Sequence, residues 1–434
     1  MFLGAPVARW SESAARRRFL WVAATSSATT LSAAVGQCAE QIRKAVNSSH
    51  LSTASRDSCL ALITPTYPAS SIEDIAFSVS RALSGVSSAV DVIGTVVDRI
   101  NDSHCGLSLL FYTSRDTTGG PAVPFFVGDE HGRQRLREIA VGRWHTQATD
   151  RQAGLPQSAT QASLSVHLPT ELTEICNPSS IRLLLLASDR ETHQASNALA
   201  QRFPRASILG LVGAATPFLN TRPYTLIGSS VHSSGCVGLA FSDHAPSLAV
   251  AHPGMAAATP VLRIARAKGN VVLEVEDAVA AHKLIAAMRS GGSGDYRVYA
   301  RISLTREAAS EPLLSPGPMS AVFHITGGDP AKGGVAVDTL SDIPSGSFIQ
   351  FLVSTATPSA AELQLGADNR PAVVFGVSSD SANTSKNQAQ PGVLSVATEG
   401  GFVYSYPDRF TGGRELFSGP TECAVPDSTA TLLL

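Results

Sequence analysis

His232 and Cys236 stand four residues apart in the run SSVHSSGCVGL, and a thiol beside an imidazole is the minimum equipment for nucleophilic catalysis. On a strand, residues four apart share a face yet lie about 13 Å from one another at roughly 3.3 Å per residue, too far for a hydrogen bond unless the chain bulges. The pair therefore reads first as a packed strand thiol near an unrelated histidine, with a cysteine-dependent enzyme as the lesser alternative. No G-x-S-x-G elbow supplies a serine nucleophile, so no catalytic residue is assigned.

Phosphate and metal chemistry fare no better. GGDPAKGG, Gly327 to Gly334, follows a strand pattern but lacks the order of a Walker loop, and no helix pattern begins after Lys332 to aim amides at a phosphate. Asp-Pro flanked by paired glycines predicts a plain β-turn. The 11 histidines form no HExxH, and the six cysteines, Cys38, Cys59, Cys105, Cys176, Cys236 and Cys423, form no CxxC, so neither a metal nor a cofactor is expected.

Charge excludes further classes. The 434 residues carry 33 cations and 35 anions, a net −2, with no clustered basic face for nucleic acid. The densest basic run, Arg133, Arg135 and Arg137 with Arg143 beyond, has no interleaved aromatics and reads as a solvated face. No apolar run approaches the roughly 18 residues that span a bilayer, so a soluble, non-membrane protein is expected. Residues 1–17 form a basic extension, in which Arg9, Arg16 and Arg17 oppose a single Glu12. Two readings stand side by side: a mitochondrial presequence, or an uncleaved extension on a cytoplasmic protein.

Such weak local chemistry must be positioned by larger elements. The first half repeats a strand, a polar turn, an amphipathic helix and a strand. Phe19 to Ala24 predicts a strand, and Thr29 to Val46 a helix whose Leu31, Ala34, Val35, Cys38, Ile42 and Ala45 share a face. Cys59 to Ile63 predicts a strand. A helix follows, capped by Ser70 and Glu73 and ended by Gly85, and then the strand Val90 to Ile93. A second such unit runs from Ile181 to Gly213, with Ser188 and Glu191 as the helix cap and Ser207 to Val212 as the return strand. The two read as diverged copies. His145 to Gln161 predicts a surface loop, Thr225 to Phe241 a hairpin, and Ser378 to Gly392 an insertion loop. Beyond residue 256 come one helix, Asp277 to Arg289, and the strands Val298 to Leu304, Ala321 to Ile325, Phe348 to Val353, Val373 to Val377 and Phe402 to Tyr406.

The expected fold class is α/β: mixed sheets with flanking helices in two lobes, the first lobe built from repeated strand-helix-strand units. Its divisions are residues 1–17, 18–255 and 256–434. In open α/β sheets ligands settle at the carboxyl ends of strands. That places a candidate ligand site at Thr64 and Tyr67, at Gly94 and Thr95, at Ser188 and Asp189, and at Gly210 and Gly213, between the lobes.

At these residues the chain resembles the FIST family, named for F-box and intracellular signal-transduction proteins. The likeness lies in FLWVAATSSATTLSAAVGQCAEQI, CLALITPTYP, DVIGTVVD, IRLLLLASD, RFPRASILGLVGAATPF and SGCVGLAF for the N-terminal half. NVVLEVEDAVAAHKLI, SFIQFLV and GGFVYSY carry it in the C-terminal half. It covers nearly the whole chain from Arg18 and implies a sensory, signal-transduction role with a small-molecule ligand, amino acids among the candidates, and a protein partner. An F-box would need more than the residues before the first strand, so a stand-alone FIST protein is the expectation. A protein-interaction scaffold or ubiquitin-pathway adaptor is the alternative.

Overall fold

A computed structural model describes residues 19–49, 57–101, 103–114, 122–128, 166–175, 177–190, 192–215, 224–242, 246–276, 278–290, 297–313, 317–329, 333–354, 371–378, 393–407 and 420–434. The basic extension, Arg133 to Arg143, His145 to Gln161, Cys176, Lys332 and residues 379–392 lie outside them. The described chain is mixed α/β.

Its first unit runs β1 (Phe19–Ser26), α1 (Leu31–Ser48), β2 (Asp57–Ile63), α2 (Ala69–Glu73), α3 (Ile75–Leu83), β3 (Val90–Val96), the two-residue β4 (Arg99–Ile100) and β5 (Leu107–Ser114). In space the order is β1-β5-β2-β3, with β2 and β3 parallel and the other pairs antiparallel. α1 begins where Thr30 caps it, its hydroxyl accepting from the Ala33 amide. The Ser70–Glu73 cap does not form: Ser70 lies inside α2, Pro68 holds the cap position with no side-chain acceptor, and Asp74 (φ −88°, ψ 2°) divides α2 from α3. β3 also continues past Ile93, because each of its residues through Val96 finds a parallel partner on β2.

A second unit repeats that topology with β6 (Val123–Val127), α4 (Thr170–Thr173), β7 (Leu183–Ser188), α5 (Thr192–Arg202), β8 (Ser207–Val212), the hairpin β9 (Thr225–Ile227) and β10 (Ser230–His232), and β11 (Cys236–Phe241). Their order is β6-β11-β7-β8, again with one parallel pair, β7 and β8. Ser188 is the last residue of β7 and caps no helix. The expected Thr225–Phe241 hairpin turns earlier, at Gly228, and sends β11 into a different sheet from β9 and β10.

The third unit opens with β12 (Ser247–Ala251) and is interrupted by an insertion. That insertion holds β13 (Met255–Ala257), β14 (Leu262–Lys268), β15 (Val271–Val275), β16 (Ala278–Val279), α6 (Ala280–Ser290), β17 (Val298–Ser303), α7 (Arg306–Ser310), β18 (Ser320–Asp329), β19 (Gly334–Val337) and β20 (Phe348–Ser354). β14-β15-β19-β18-β17-β20 close on themselves as a six-stranded barrel, because β20 pairs with both β17 and β14. Of GGDPAKGG, Gly327 to Asp329 belong to β18 and Gly334 to β19, with Asp329 paired to Gly334, while residues 330–332 lie outside the described residues. The unit then resumes with β21 (Ala372–Val377), β22 (Val393–Thr398), β23 (Phe402–Ser405), β24 (Thr421–Cys423) and β25 (Thr429–Leu433), ordered β12-β25-β21-β22 with β21 and β22 parallel.

The described residues thus form three copies of one four-stranded topology, and these exchange strands in a ring. β4 of the first unit pairs with β22 of the third, β9 of the second with β3 of the first, and β23 of the third with β8 of the second. Each unit lends the segment between its third and fourth strands in chain order to a neighbour's edge. Strands from both sides of residue 255 consequently share sheets, so that position marks no boundary between sheets.

Alternation along the parallel strands sorts their side chains into two cores. Leu60 and Leu62, Leu183 and Leu185, and Val373 and Phe375 point into a central core common to the three sheets. Cys59, Ala61 and Ile63 pack instead with α1 and α3, and Leu184 and Leu186 with α5. Burial on both faces explains why these strands are continuous apolar runs. Trp21, Tyr112 and Phe241 meet in the central core with ring centroids 4.7–5.0 Å apart, joining the first sheet to the second. The barrel has its own interior, closed by Ala281 and Leu284 of α6, while Tyr299, Val322 and Leu352 on its outer wall pack into the central core.

Two buried basic groups sit between barrel and units. Arg301 is 2% exposed and caps the end of α7, donating to the Ala308 and Glu311 carbonyls at 2.6 Å each and to Ser320 Oγ at 2.7 Å. His252, 1% exposed, places Nδ1 2.7 Å from Ser428 Oγ. Burial, aided by the Arg301 charge, pushes its pKa down to about 3. The folded protein thus holds His252 neutral while the unfolded chain protonates it near pH 6.5. Its stabilising contribution is complete above pH 6.5 and is lost as pH falls toward 3, at up to about 1.4 kcal/mol per pH unit. Urea unfolding at a series of pH values should show that slope, and His252→Asn should remove it at a cost in stability at neutral pH.

Candidate functional site

The carboxyl ends of the three parallel pairs meet. Asp98 N donates to the Ala397 carbonyl at 3.1 Å, Ala214 N to the Val96 carbonyl at 2.8 Å, and Thr398 Oγ1 to the Val212 carbonyl at 2.7 Å, so each pair end is tied to the next unit. Beside the junction of the first and third units opens a partly open cavity of about 500 Å³, within the usual range for small-molecule sites. The first unit contributes Pro65, Thr66, Asp98, Arg99 and His104, and the third unit Val377, Ser378, Glu399, Ala424 and Pro426. Arg297 and His324 reach it from the barrel.

Asp98 is the hub. Its Oδ2 accepts from the Glu399 amide at 2.5 Å and from Ser378 Oγ at 3.1 Å, linking both parallel-strand ends of the third sheet to the first unit. Burial raises its pKa above the ordinary carboxylate value, while those two hydrogen bonds and the charge of Arg99 act in the opposite direction. Glu399 in turn pairs with Arg190 of the second unit at 2.9 Å, an exposed contact of small energetic weight. His324 is half-buried, bonded to the Ala424 backbone and tilted against the Tyr299 ring at 4.8 Å; burial lowers its pKa, against the opposing effects of Asp338 and the Ala424 hydrogen bond.

Strand register aligns the three units and exposes where this site departs from the repeat. The parallel pairs end at Ile63/Val96, Ser188/Val212 and Val377/Thr398. One residue past the first strand of each pair stand Thr64, Asp189 and Ser378. In two units this residue latches the turn before the returning strand: Gly106 N donates to Thr64 Oγ1 and Gly235 N to Asp189 Oδ2, both at 2.8 Å. Ser378 instead gives its hydroxyl to Asp98.

The eight residues expected at strand-end loops are all buried, and their described contacts are internal. Thr64 makes the latch just described, and only its successors Pro65 and Thr66 reach the cavity. Tyr67 donates to the Ala28 carbonyl at 2.7 Å. Gly94 and Thr95 lie within β3: a Cβ on Gly94 would run into the Ala61 carbonyl, and Thr95 Oγ1 donates to the Tyr224 carbonyl at 2.6 Å. Ser188 Oγ approaches the Gly235 carbonyl at 3.5 Å, while Gly210 is wedged between Val403 and Leu186. Gly213 N donates to the Ser188 carbonyl at 2.7 Å. None of the eight is among the residues that line the cavity. His232 and Cys236 fall on strands of different sheets; His232 stacks on Phe126 at 4.0 Å, and Cys236 is buried with its Sγ 3.8 Å from the Val237 carbonyl.

What sequence reading missed is Asp98, Arg99, His104, Arg297, His324 and Glu399. A signal existed for the first two: a charged pair directly after a buried strand, in a chain with 16% charged residues. Ending that strand at Ile93 hid it. Among the described residues, no group of three or more His, Cys, Asp and Glu side chains is arranged to hold a metal ion, and no helix is long and apolar enough to cross a membrane. No protein-family model matches the chain, and no curated protein matches its sequence.

Two substitutions separate packing from site chemistry. Gly94→Ala should cost about 1–3 kcal/mol by forcing β2 and β3 apart, read by denaturant unfolding, and leave cavity binding intact in the folded fraction. For Asp98, a folded pKa above the unfolded value makes stability fall as pH rises from the unfolded value through the folded one. Asp98→Asn should flatten that part of the curve while keeping an acceptor for Glu399 N, whereas Asp98→Ala, which strands two donors, should cost about 1–3 kcal/mol.

Proposed function

We propose that this chain is a FIST-type small-molecule-binding protein, sensory in role, whose ligand occupies the cavity between the first unit, the third unit and the barrel. The observation that carries the reading is the cavity's composition: it lies at the carboxyl ends of parallel strands, the place such sheets offer to ligands, and its wall combines Asp98 and Glu399 with Arg99 and Arg297. Polar groups of both signs converging on one space from segments some 300 residues apart suit a small polar molecule, and an amino acid fits that description. A ligand there would bridge elements that move independently before the chain is folded, which suits a domain that reports occupancy to a protein partner.

A thermal-shift screen of the full chain against amino acids and common metabolites tests this. A ligand specific to the folded state at a hundred times its Kd adds about 2.7 kcal/mol and raises the midpoint in a dose-dependent way. The expected hit loses its shift in Glu399→Gln or Arg297→Gln. No shift across the panel, or a shift indifferent to both substitutions, overturns the reading.

A further inference from the structure

We propose that the cavity is an oxyanion site, taking a small carboxylate or phosphate between Arg99 and Arg297; the inference rests on the small-molecule reading above and names its ligand class.

The two acids of the wall are already engaged by the protein. Asp98 Oδ2 holds the Glu399 amide and the Ser378 hydroxyl, and Glu399 Oε1 holds Arg190. The basic side stands likewise within the protein's own contacts: the Arg99 charge acts on Asp98, Arg297 bonds to Tyr299, and the imidazoles of His104 and His324 complete the wall. A guanidinium presents five donors in a planar fork that matches carboxylate and phosphate geometry. His324 is bonded to the Ala424 backbone, which fixes its imidazole at the cavity wall.

The repeat supplies the independent argument. Three residues past the end of the second parallel strand, the first unit has Arg99 where the second has Ala215 and the third Gly401. One residue earlier, Asp98 stands where the others have Ala214 and Gly400. The same topology is therefore built twice without any charge at these positions, so folding does not require Arg99. Arg297 arrives on the barrel inserted between β12 and β21, which has no counterpart among the described residues of the other two units. Two cations, each dispensable to the repeated architecture and drawn from different parts of it, face one cavity. Arg99 also opens the strand lent to the third sheet, so an anion drawn onto it would hold the exchange closed.

The test uses the full chain with succinate and inorganic phosphate as probes at constant ionic strength, beside succinamide and putrescine as neutral and cationic counterparts of succinate. Calorimetric titration should detect succinate, phosphate or both, the difference between them naming the source of the oxyanion, and neither counterpart. Arg297→Gln, at the exposed rim, should weaken binding roughly tenfold or more, and Arg99→Gln should do the same, each with its fold checked by circular dichroism. Arg205→Gln, an exposed arginine away from the cavity, should bind as the parent does. Equal weakening in Arg205→Gln would mean diffuse charge attraction and overturn the proposal. A ligand that is cationic or neutral and loses affinity in Glu399→Gln would leave the small-molecule reading standing and remove the anion assignment. Absence of binding by both anionic probes and by every compound of the metabolite screen would remove both.

Discussion

Backbone edges that are buried must be paired, and in this chain that requirement is met by lending strands around a ring. The central core is walled by three sheets, and a sheet edge facing it without a partner would strand N–H and carbonyl groups away from water. β9 covers the edge at β3, β23 the edge at β8, and β4 the edge at β22. Because each lent segment leaves from the end of a unit's own parallel pair, no unit completes its sheet alone. The aromatic cluster of Trp21, Tyr112 and Phe241 adds apolar contact across two of the sheets.

The lent strands are not equal, and the inequality places the cavity. β23 has four residues, β9 three and β4 two. The shortest exchange carries the fewest ladder hydrogen bonds, and side chains reinforce it: Asp98 gathers Ser378 and the Glu399 amide at the point where β4 begins. A half-buried carboxylate is a costly way to hold a junction, since partial burial disfavours its charged form, and alanine and glycine hold the equivalent places elsewhere. Local departures from a favourable pattern concentrate where a protein does something other than fold.

Legibility in the sequence followed the range of the interactions. α1, β7, β8 and β21 were readable because their apolar spacing is local and their faces are fully buried. The third unit was not, because the barrel separates β12 from β21 by more than a hundred residues and no local period spans that gap. Strand ends were misplaced where pairing rather than propensity sets them: β3 runs on through Gly94 and Thr95 because Ala61 and Leu62 are there to receive them. That three-residue difference puts Gly94 and Thr95 in the strand interior and leaves Asp98 and Arg99 beyond the strand end, at the cavity. Polar residues at strand ends drew attention as ligand contacts, yet Thr64 and Asp189 serve the same internal latch, a role visible only once register aligns the units.

The barrel explains the asymmetry of the whole. Its outer wall gives Tyr299, Val322 and Leu352 to the central core, so it is part of the folded body and not an appendage. Having joined that body beside the junction of the first and third units, it brings Arg297 and His324 against the end of the shortest lent strand. A regular ring of three units would offer three equivalent junctions and no reason for one of them to differ. The barrel gives one junction a third wall, and Asp98 and Arg99 of the first unit stand at that junction, facing Arg297 and His324 across the cavity.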